Sequence, residues 1–305
     1  MNRHWHFING CNLWLRNELS RSQISCQVPA RHSVLWGGTA MLRDLSRQVW
    51  QYRGFILGSV RREFQAKYGN AVLGALWTAL NPLAMILIYT VIFGQVMHSR
   101  LPGNESVFGY SVYLCAGVLT WGLFSEICLR GQTMFLDQAN LIKKVSFPRI
   151  CLPVIVVVSS TLNFAIIFGI FCVFLVLSGS FPGWAFLALV PVLLLQLLFA
   201  IGLGMVLGVL NVFFRDVGQF FAIFIQFWFW FTPIVYPASI LPQAARDLLV
   251  FNPLATITAA YQSILVSGEV PQWSSLFPAL AAALLLCGAG FELFRRRAGE
   301  MVDEL

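Results

Sequence analysis

Apolar residues in this chain come in long unbroken tracts, not in the two-residue alternation of strands or the narrow stripes of water-facing helices. A bilayer core of about 30 Å needs about 20 apolar residues at the helical rise. Six tracts qualify: Leu73 to Met97, Tyr110 to Leu129, Ile150 to Leu177, Trp184 to Phe213, Gln219 to Tyr236 and Leu276 to Phe294. The third and fourth are long enough to tilt or bend. The pattern predicts an all-α membrane protein with six transmembrane helices.

The stretch from Leu42 to Tyr68 is too charged to cross. There Leu42, Leu45, Val49, Tyr52, Ile56, Val60 and Phe64 recur every three or four residues, while Arg43, Arg47, Arg61 and Arg62 fall off that stripe. This predicts an amphipathic helix in the cytoplasmic interface, its basic face toward anionic headgroups. A helix packed on protein carries the same stripe. Residues 1–40 have no helical period and no signal-peptide core, so they are read as an extension from an upstream start codon and expected to be poorly ordered. The domain reading is therefore 1–40 extension, 41–70 interface helix and 71–305 transmembrane domain.

Charge placement orients the tracts, because Lys and Arg are retained on the cytoplasmic side. Arg43, Arg47, Arg53, Arg61, Arg62 and Lys67 precede the first tract, and Arg130, Lys143, Lys144 and Arg149 lie between the second and third. Arg215 follows the fourth, and Arg295, Arg296 and Arg297 follow the sixth; the opposite loops hold only Arg100 and Arg246. Both termini are expected to be cytoplasmic, in a multi-pass protein of the inner membrane. The net charge of +7 is then topological, not a nucleic-acid footprint.

With 58% hydrophobic and 11% charged residues, a soluble globule is excluded, since a water-exposed domain carries about a quarter charged residues. The seven cysteines form no C-x-x-C pair, and His4 with His6 cannot close a metal site. Ionisable residues are lacking near the middle of each tract, which argues against ion-coupled transport. Glu126 and Arg130, one turn apart, invite local pairing instead. None of Lys67, Lys143 and Lys144 sits in a G-x-x-x-x-G-K-[ST] loop, so energy for active transport must come from a partner. No nucleophile and base group together, so the chain is read as a transport subunit and not an enzyme.

Two loops stand out. Between the second and third tracts, Asp137 to Arg149 combines a short helix former, the pair Lys143 and Lys144, and the stop Pro148. Between the fifth and sixth, Thr232-Pro233 to Tyr236-Pro237, Pro242 and Asn252-Pro253 punctuate a weakly charged apolar loop that should re-enter or hug the membrane. Gly204 and Gly208, with Gly202 nearby, permit close helix approach, either at a dimer or gate contact or within the chain.

In this order and topology the residues resemble the ABC-2 type permeases, specifically the polysaccharide and O-antigen exporters. The resemblance covers Met41 to Leu305. It rests on Lys67-Tyr68 with Leu73 to Trp77 and Asn81-Pro82, on Asn140 to Pro148, Phe214-Arg215-Asp216, Thr232-Pro233, Tyr236-Pro237 and Asn252-Pro253-Leu254, and on the ending from Phe294. Where many relatives follow Tyr261 with a basic residue, this chain has Gln262.

The resemblance implies a homodimer joined to two copies of a separate nucleotide-binding ATPase. ATP and Mg would sit on that partner and no cofactor on this chain, and the cargo would be a lipid-linked polysaccharide. It implies that Asn140, Leu141, Ile142, Lys143, Lys144, Phe147, Pro148 and Arg149 form the coupling element, the basic residues meeting partner carboxylates and the apolar ones its groove. Positive-inside retention alone would also account for those basic residues. It implies an external gate at Pro233, Tyr236, Pro237, Asn252, Pro253 and Tyr261.

Aromatic rings suit the apolar faces of sugars, and Gln219, Gln226 and Trp230 share one face of the fifth tract. These three and Trp121 are the candidate channel-lining residues. Export of teichoic acid, capsule, lipid or drug by the same architecture stays open here, as does, from a different class, a passive channel or a membrane-embedded transferase.

Overall fold

The computed structural model describes residues 47, 49–68, 80, 84–88, 91–92, 108–144 and 147–304. The expectations for residues 1–40, for Leu42 to Leu45 and for most of the tract from Leu73 to Met97 lie outside the described residues. Among those described, the protein is all-helical.

Four helical segments are long and apolar enough to cross a membrane: Gly109–Asp137, Cys151–Leu177, Gly183–Phe213 and Trp273–Arg297. Helix α1 (Arg53–Tyr68) precedes them. Helix α2 (Gly109–Asp137) is the most buried of the four and packs against α4 (Cys151–Leu177) and α5 (Leu189–Phe213). The six-residue α3 (Ala139–Lys144) joins α2 to α4. A 3-10 segment, Gly183–Ala188, leads into α5.

Helix α6 (Asp216–Phe231) follows, then α7 (Gln243–Leu249), α8 (Pro253–Gln262), α9 (Trp273–Arg297) and the terminal α10 (Glu300–Glu304). Helix α2 runs eight residues past Leu129, where hydropathy ends. Its polar tail still buries Gly131, Gln132, Met134 and Phe135, so packing carries the helix on. As a result Glu126 and Arg130 sit well inside a helix about 43 Å long at the standard rise.

Local chemistry sets the breaks. Helix α4 ends in a Schellman turn, with Ser180 N–H donating to Leu175 O and Gly179 N–H to Val176 O around a left-handed Gly179 (φ 69°). Helix α6 stops at Phe231 because Pro233 forces Thr232 into extended backbone (φ −105°, ψ 130°). Asn252 caps α8 by accepting from Leu254 N–H at 3.1 Å, and Pro253 occupies the first helical position.

Small residues bring the long helices together. A Cβ on Gly208 would lie 2.5 Å from Gly131 O, and one on Gly202 would lie 2.8 Å from Cys287 N. Helix α5 therefore meets α2 on one side and α9 on the other at backbone distance, the contact that helix association in lipid depends on. Of the two readings of the glycine spacing, the structure uses contact within the chain.

Side-chain contacts sort the helix ends into two groups. At one end, Asn211 of α5 donates to Gln132 O of α2 (2.9 Å) and accepts from Gly218 N–H of α6 (3.0 Å). Arg149 donates to Ala298 O, and the Arg297 guanidinium lies 5.8 Å from the Phe213 ring centroid. At the other end, Tyr110 of α2 donates to Val235 O (2.6 Å), and Gly268 sits beside Pro182. Lys143, Arg149, Arg215 and Arg295 to Arg297 all gather at the first end, the grouping the charge count requires.

Candidate functional site

The first end carries the candidate coupling element. Asn140 and Lys143 of α3 are exposed, while Ile142, Phe147, Pro148 and Arg149 are half-buried. The side chains of Leu141 and Lys144 lie outside the described residues. Phe147 packs on Phe55 of α1 with ring centroids 5.2 Å apart, and Ile142 packs on the core. Pro148 and Arg149 lend their carbonyls to Cys151 and Leu152 N–H, which starts α4. The Arg149 guanidinium is taken up by the Ala298 carbonyl beside α10, whose Met301 is buried. Lys143 is thus the described cation of this element that projects outward, whereas Arg149 ties the element to the chain's own C-terminal segment.

A polar cluster joins α1 to this end. Glu63 accepts from Arg130 and from the Ser159 hydroxyl, each at 2.6 Å. Arg130 also reaches Ser160 (3.4 Å) and lies 3.7 Å from Glu126. Asn163 donates to Glu126 (3.0 Å) and accepts from Lys67 (3.4 Å). Because Glu63 meets Ser159 and Lys67 meets Asn163, α1 and α4 run in the same direction here. The stripe expected on α1 is the buried one: Ile56 and Val60 are buried and Tyr52 and Phe64 half-buried, while Arg47, Arg61 and Arg62 are exposed. That stripe packs on protein. The pairing of Glu126 with Arg130 was readable from their spacing, but Glu63 carried no such signal.

The other end carries the candidate gate. Cutting α6 at Thr232 frees backbone carbonyls that need donors in an apolar setting. Asn252 supplies several contacts: its Nδ2 lies 3.1 Å from Thr232 Oγ1 and 3.3 Å from Phe231 O, and its Oδ1 accepts from Trp228 Nε1 (3.0 Å) as well as from Leu254 N–H. The Tyr113 hydroxyl lies 3.1 Å from the carbonyls of both Pro233 and Tyr236, donating to one at a time. Gln262 donates to Pro233 O (3.3 Å) and Tyr236 to Trp230 O (2.6 Å). Thr232 and Ile234 are fully buried, and Pro237 is half-buried at the start of the short 3-10 segment Ala238–Ile240.

Burial pushes the Tyr261 phenol above its ordinary range. Tyr261 is buried in α8, and its hydroxyl has no hydrogen-bond partner among the described residues. Tyr110, Tyr113 and Gln262 were not among the residues singled out for this gate. The signal for them was weak: two tyrosines one helical turn apart at the start of an apolar tract.

Of the candidate lining residues, Gln219, Gln226 and Trp230 are all exposed on α6, Trp230 at 64%. The opposite face, Phe221 and Ile225 with Trp228, packs against the bundle. Trp121 is elsewhere, half-buried between Phe124 (5.7 Å) and Phe229 (5.4 Å). Among the described residues, no three His, Cys, Asp or Glu side chains group in a way that would hold a metal ion.

Residues 56–266 match the family model described as "ABC-2 type transporter". The chain is 32% identical over 263 residues to the "O-antigen export system permease protein RfbA" of Myxococcus xanthus, covering 86% of this chain and 99% of that protein. It is 29% identical over 210 residues to a Klebsiella pneumoniae protein of the same description, covering 68% and 79%. It is 24% identical over 242 residues to the "Polysialic acid transport protein KpsM" of Escherichia coli, covering 79% and 92%.

Proposed function

Because the chain belongs to the ABC-2 type transporter family, we propose that it is the permease subunit of an exporter that moves a lipid-linked, O-antigen-like polysaccharide across the cytoplasmic membrane. Two copies form the path, and two copies of a separate ATPase bind and hydrolyse Mg-ATP to drive it. The observation that carries the reading is the match with the Myxococcus xanthus permease over 99% of that protein's length and 86% of this chain.

In this reading six spans cross the inner membrane: the four long apolar segments, the tract from Leu73 to Met97, and α6. Helix α6 has 16 residues, about 24 Å at the helical rise, and relies on the turn from Thr232 to Tyr236 to complete its crossing. Both termini face the cytoplasm, with α1 at the membrane surface. The exposed face of Gln219, Gln226 and Trp230 lines the path, its amides meeting sugar hydroxyls and its rings the C–H faces. Trp121 backs that lining through Phe229.

The element from Asn140 to Arg149 couples to the ATPase. Lys143, with Lys144, meets partner carboxylates. Asn140 and Leu141 dock beside them. Ile142, Phe147, Pro148 and Arg149 brace the element against α1, α4 and the C-terminal segment. Pro233, Tyr236, Pro237, Asn252, Pro253 and Tyr261 form the outer gate. Its short helices α7 and α8 with apolar Leu248, Val250 and Phe251 exposed suit a membrane-hugging or re-entrant segment.

Capsule export is the second reading, supported by the match to the polysialic acid transport protein. The test is to purify the permease with its ATPase and measure ATP hydrolysis as lipid-linked glycans are added. Stimulation by an O-antigen-type glycan and not by a capsular one is expected. A purified chain that moves glycan with no ATPase, or a complex that no lipid-linked glycan stimulates, overturns the reading.

A further inference from the structure

Between α1 and α4 the surface opens into a groove of about 520 Å³, lined by Leu57, Val60, Arg61 and Phe64 on one side and Leu162, Ala165 and Ile166 on the other. Its volume falls within the range of about 300–1,000 Å³ common for ligand sites. The groove makes two unlike demands. Leu57, Leu162 and Ile166 are 60%, 45% and 42% exposed, an apolar surface that calls for hydrocarbon cover. Arg61, on the same rim, is an exposed cation that makes no hydrogen bond or ion pair among the described residues, and a cation beside lipid-facing surface calls for an anion.

The other described charges of this helix have partners nearby. Arg62 donates to Ser59 (2.8 Å), Lys67 to Asn163, Arg53 stacks on Trp50 (4.7 Å), and Glu63 is held by Arg130 and Ser159. Between residues 47 and 68, Arg47, Arg53, Arg61, Arg62 and Lys67 stand against the one carboxylate of Glu63, so the local field favours a net negative headgroup over a zwitterion.

We propose that this groove holds one anionic phospholipid, with an acyl chain along Leu57, Leu162 and Ile166 and its phosphate on Arg61. A single molecule of this kind meets both demands at once: the chain removes apolar surface from water and the phosphate neutralises the guanidinium. Bound there, it wedges α1 against α4 next to the Glu63 cluster, so the angle between these helices depends on the lipid. The proposal does not rest on the identity of the exported cargo, and its failure leaves the export reading intact.

The test is native mass spectrometry of the full chain in detergent, titrated with dioleoyl phosphatidylglycerol, dioleoyl phosphatidylcholine, a polyprenyl phosphate and inorganic phosphate. One phosphatidylglycerol should be retained at least about fivefold more tightly than phosphatidylcholine, the scale of one basic residue at a lipid surface. Arg61→Gln, at an exposed position with no partner among the described residues, should fold normally and abolish that preference. Leu162→Trp, which fills the groove and keeps the charge, should weaken retention of both phospholipids. Unchanged phosphatidylglycerol retention in Arg61→Gln overturns the proposal. So does equal competition by inorganic phosphate, which needs no groove, or preferential retention of the polyprenyl phosphate, which would make the groove a carrier-lipid site.

Discussion

The two ends of the bundle are fastened by different chemistry. At the end with α3, alongside the neutral bonds of Asn211, ion pairs tie α1 to the bundle: Glu63 with Arg130, and Arg130 with Glu126, the three side chains 27% to 35% exposed. At the end with α8, neutral donors do the work: Tyr110, Tyr113, Gln262 and Asn252 satisfy carbonyls on either side of Pro233. Half-exposed charges are screened by water and salt, so such pairs are weak and can exchange partners. The bonds of Tyr113 and Gln262 to Pro233 O are buried, where water cannot replace them, so breaking one leaves an unsatisfied group, whereas the Asn252 bond to Phe231 O is exposed. Under the proposed function, the first chemistry suits the end that moves with an ATPase and the second the end that stays shut until forced.

The largest blow to this contrast should come from Asn252→Ala, which removes the helix cap and leaves Trp228 Nε1 without its acceptor, while the Thr232 hydroxyl keeps only its bond to Trp228 O. A loss of about 2–4 kcal/mol is expected from the cap and the stranded polar groups together, read as a lower thermal midpoint in detergent. A variant as stable as the parent would mean the candidate gate is not held by this residue. Tyr113→Phe is smaller, about 1–2 kcal/mol, because Gln262 still reaches Pro233 while the Tyr236 carbonyl loses a donor. That loss should be insensitive to salt.

Arg130→Gln sharpens the comparison from the other side. It should cost about 1 kcal/mol at low salt and less at high salt, since the pairs are half-exposed. Equal salt dependence in Tyr113→Phe and Arg130→Gln would erase the distinction between the ends. The smallest effect on stability belongs to Lys143→Glu, within about 0.5 kcal/mol for an exposed side chain. The same variant, alone or with Lys144→Glu, should abolish partner-stimulated ATP hydrolysis or assembly. Polymer export at the parent rate would remove Lys143 from the coupling role.

Particular residues show how far the chain could be read in advance. The stripe through Ile56 and Val60 was visible because helical period places those positions on one face, and that face is buried. The stop at Thr232 and the cap at Asn252 were visible because proline removes a donor and restricts its neighbour. The tail of α2 beyond Leu129 was not visible as helix, because its polar residues are sheltered by α5 and not by lipid. For the candidate site, Tyr236 and Asn252 were legible from the proline pattern, whereas Tyr110, Tyr113, Glu63 and the use of Arg149 within the chain were not.

The amino-acid order alone determined which stretches are apolar enough for hydrocarbon, where they break and which ends carry the cations, because hydropathy, proline geometry and formal charge are properties of neighbouring residues. Only the tertiary structure decided that Glu63 meets Arg130 across 67 positions, that Tyr113 reaches Pro233 across 120, and that Gly131 admits α5 at backbone distance. Those contacts depend on how helices are set side by side. In an apolar medium many packings bury similar area, and the choice falls to a few polar groups that must each find a partner.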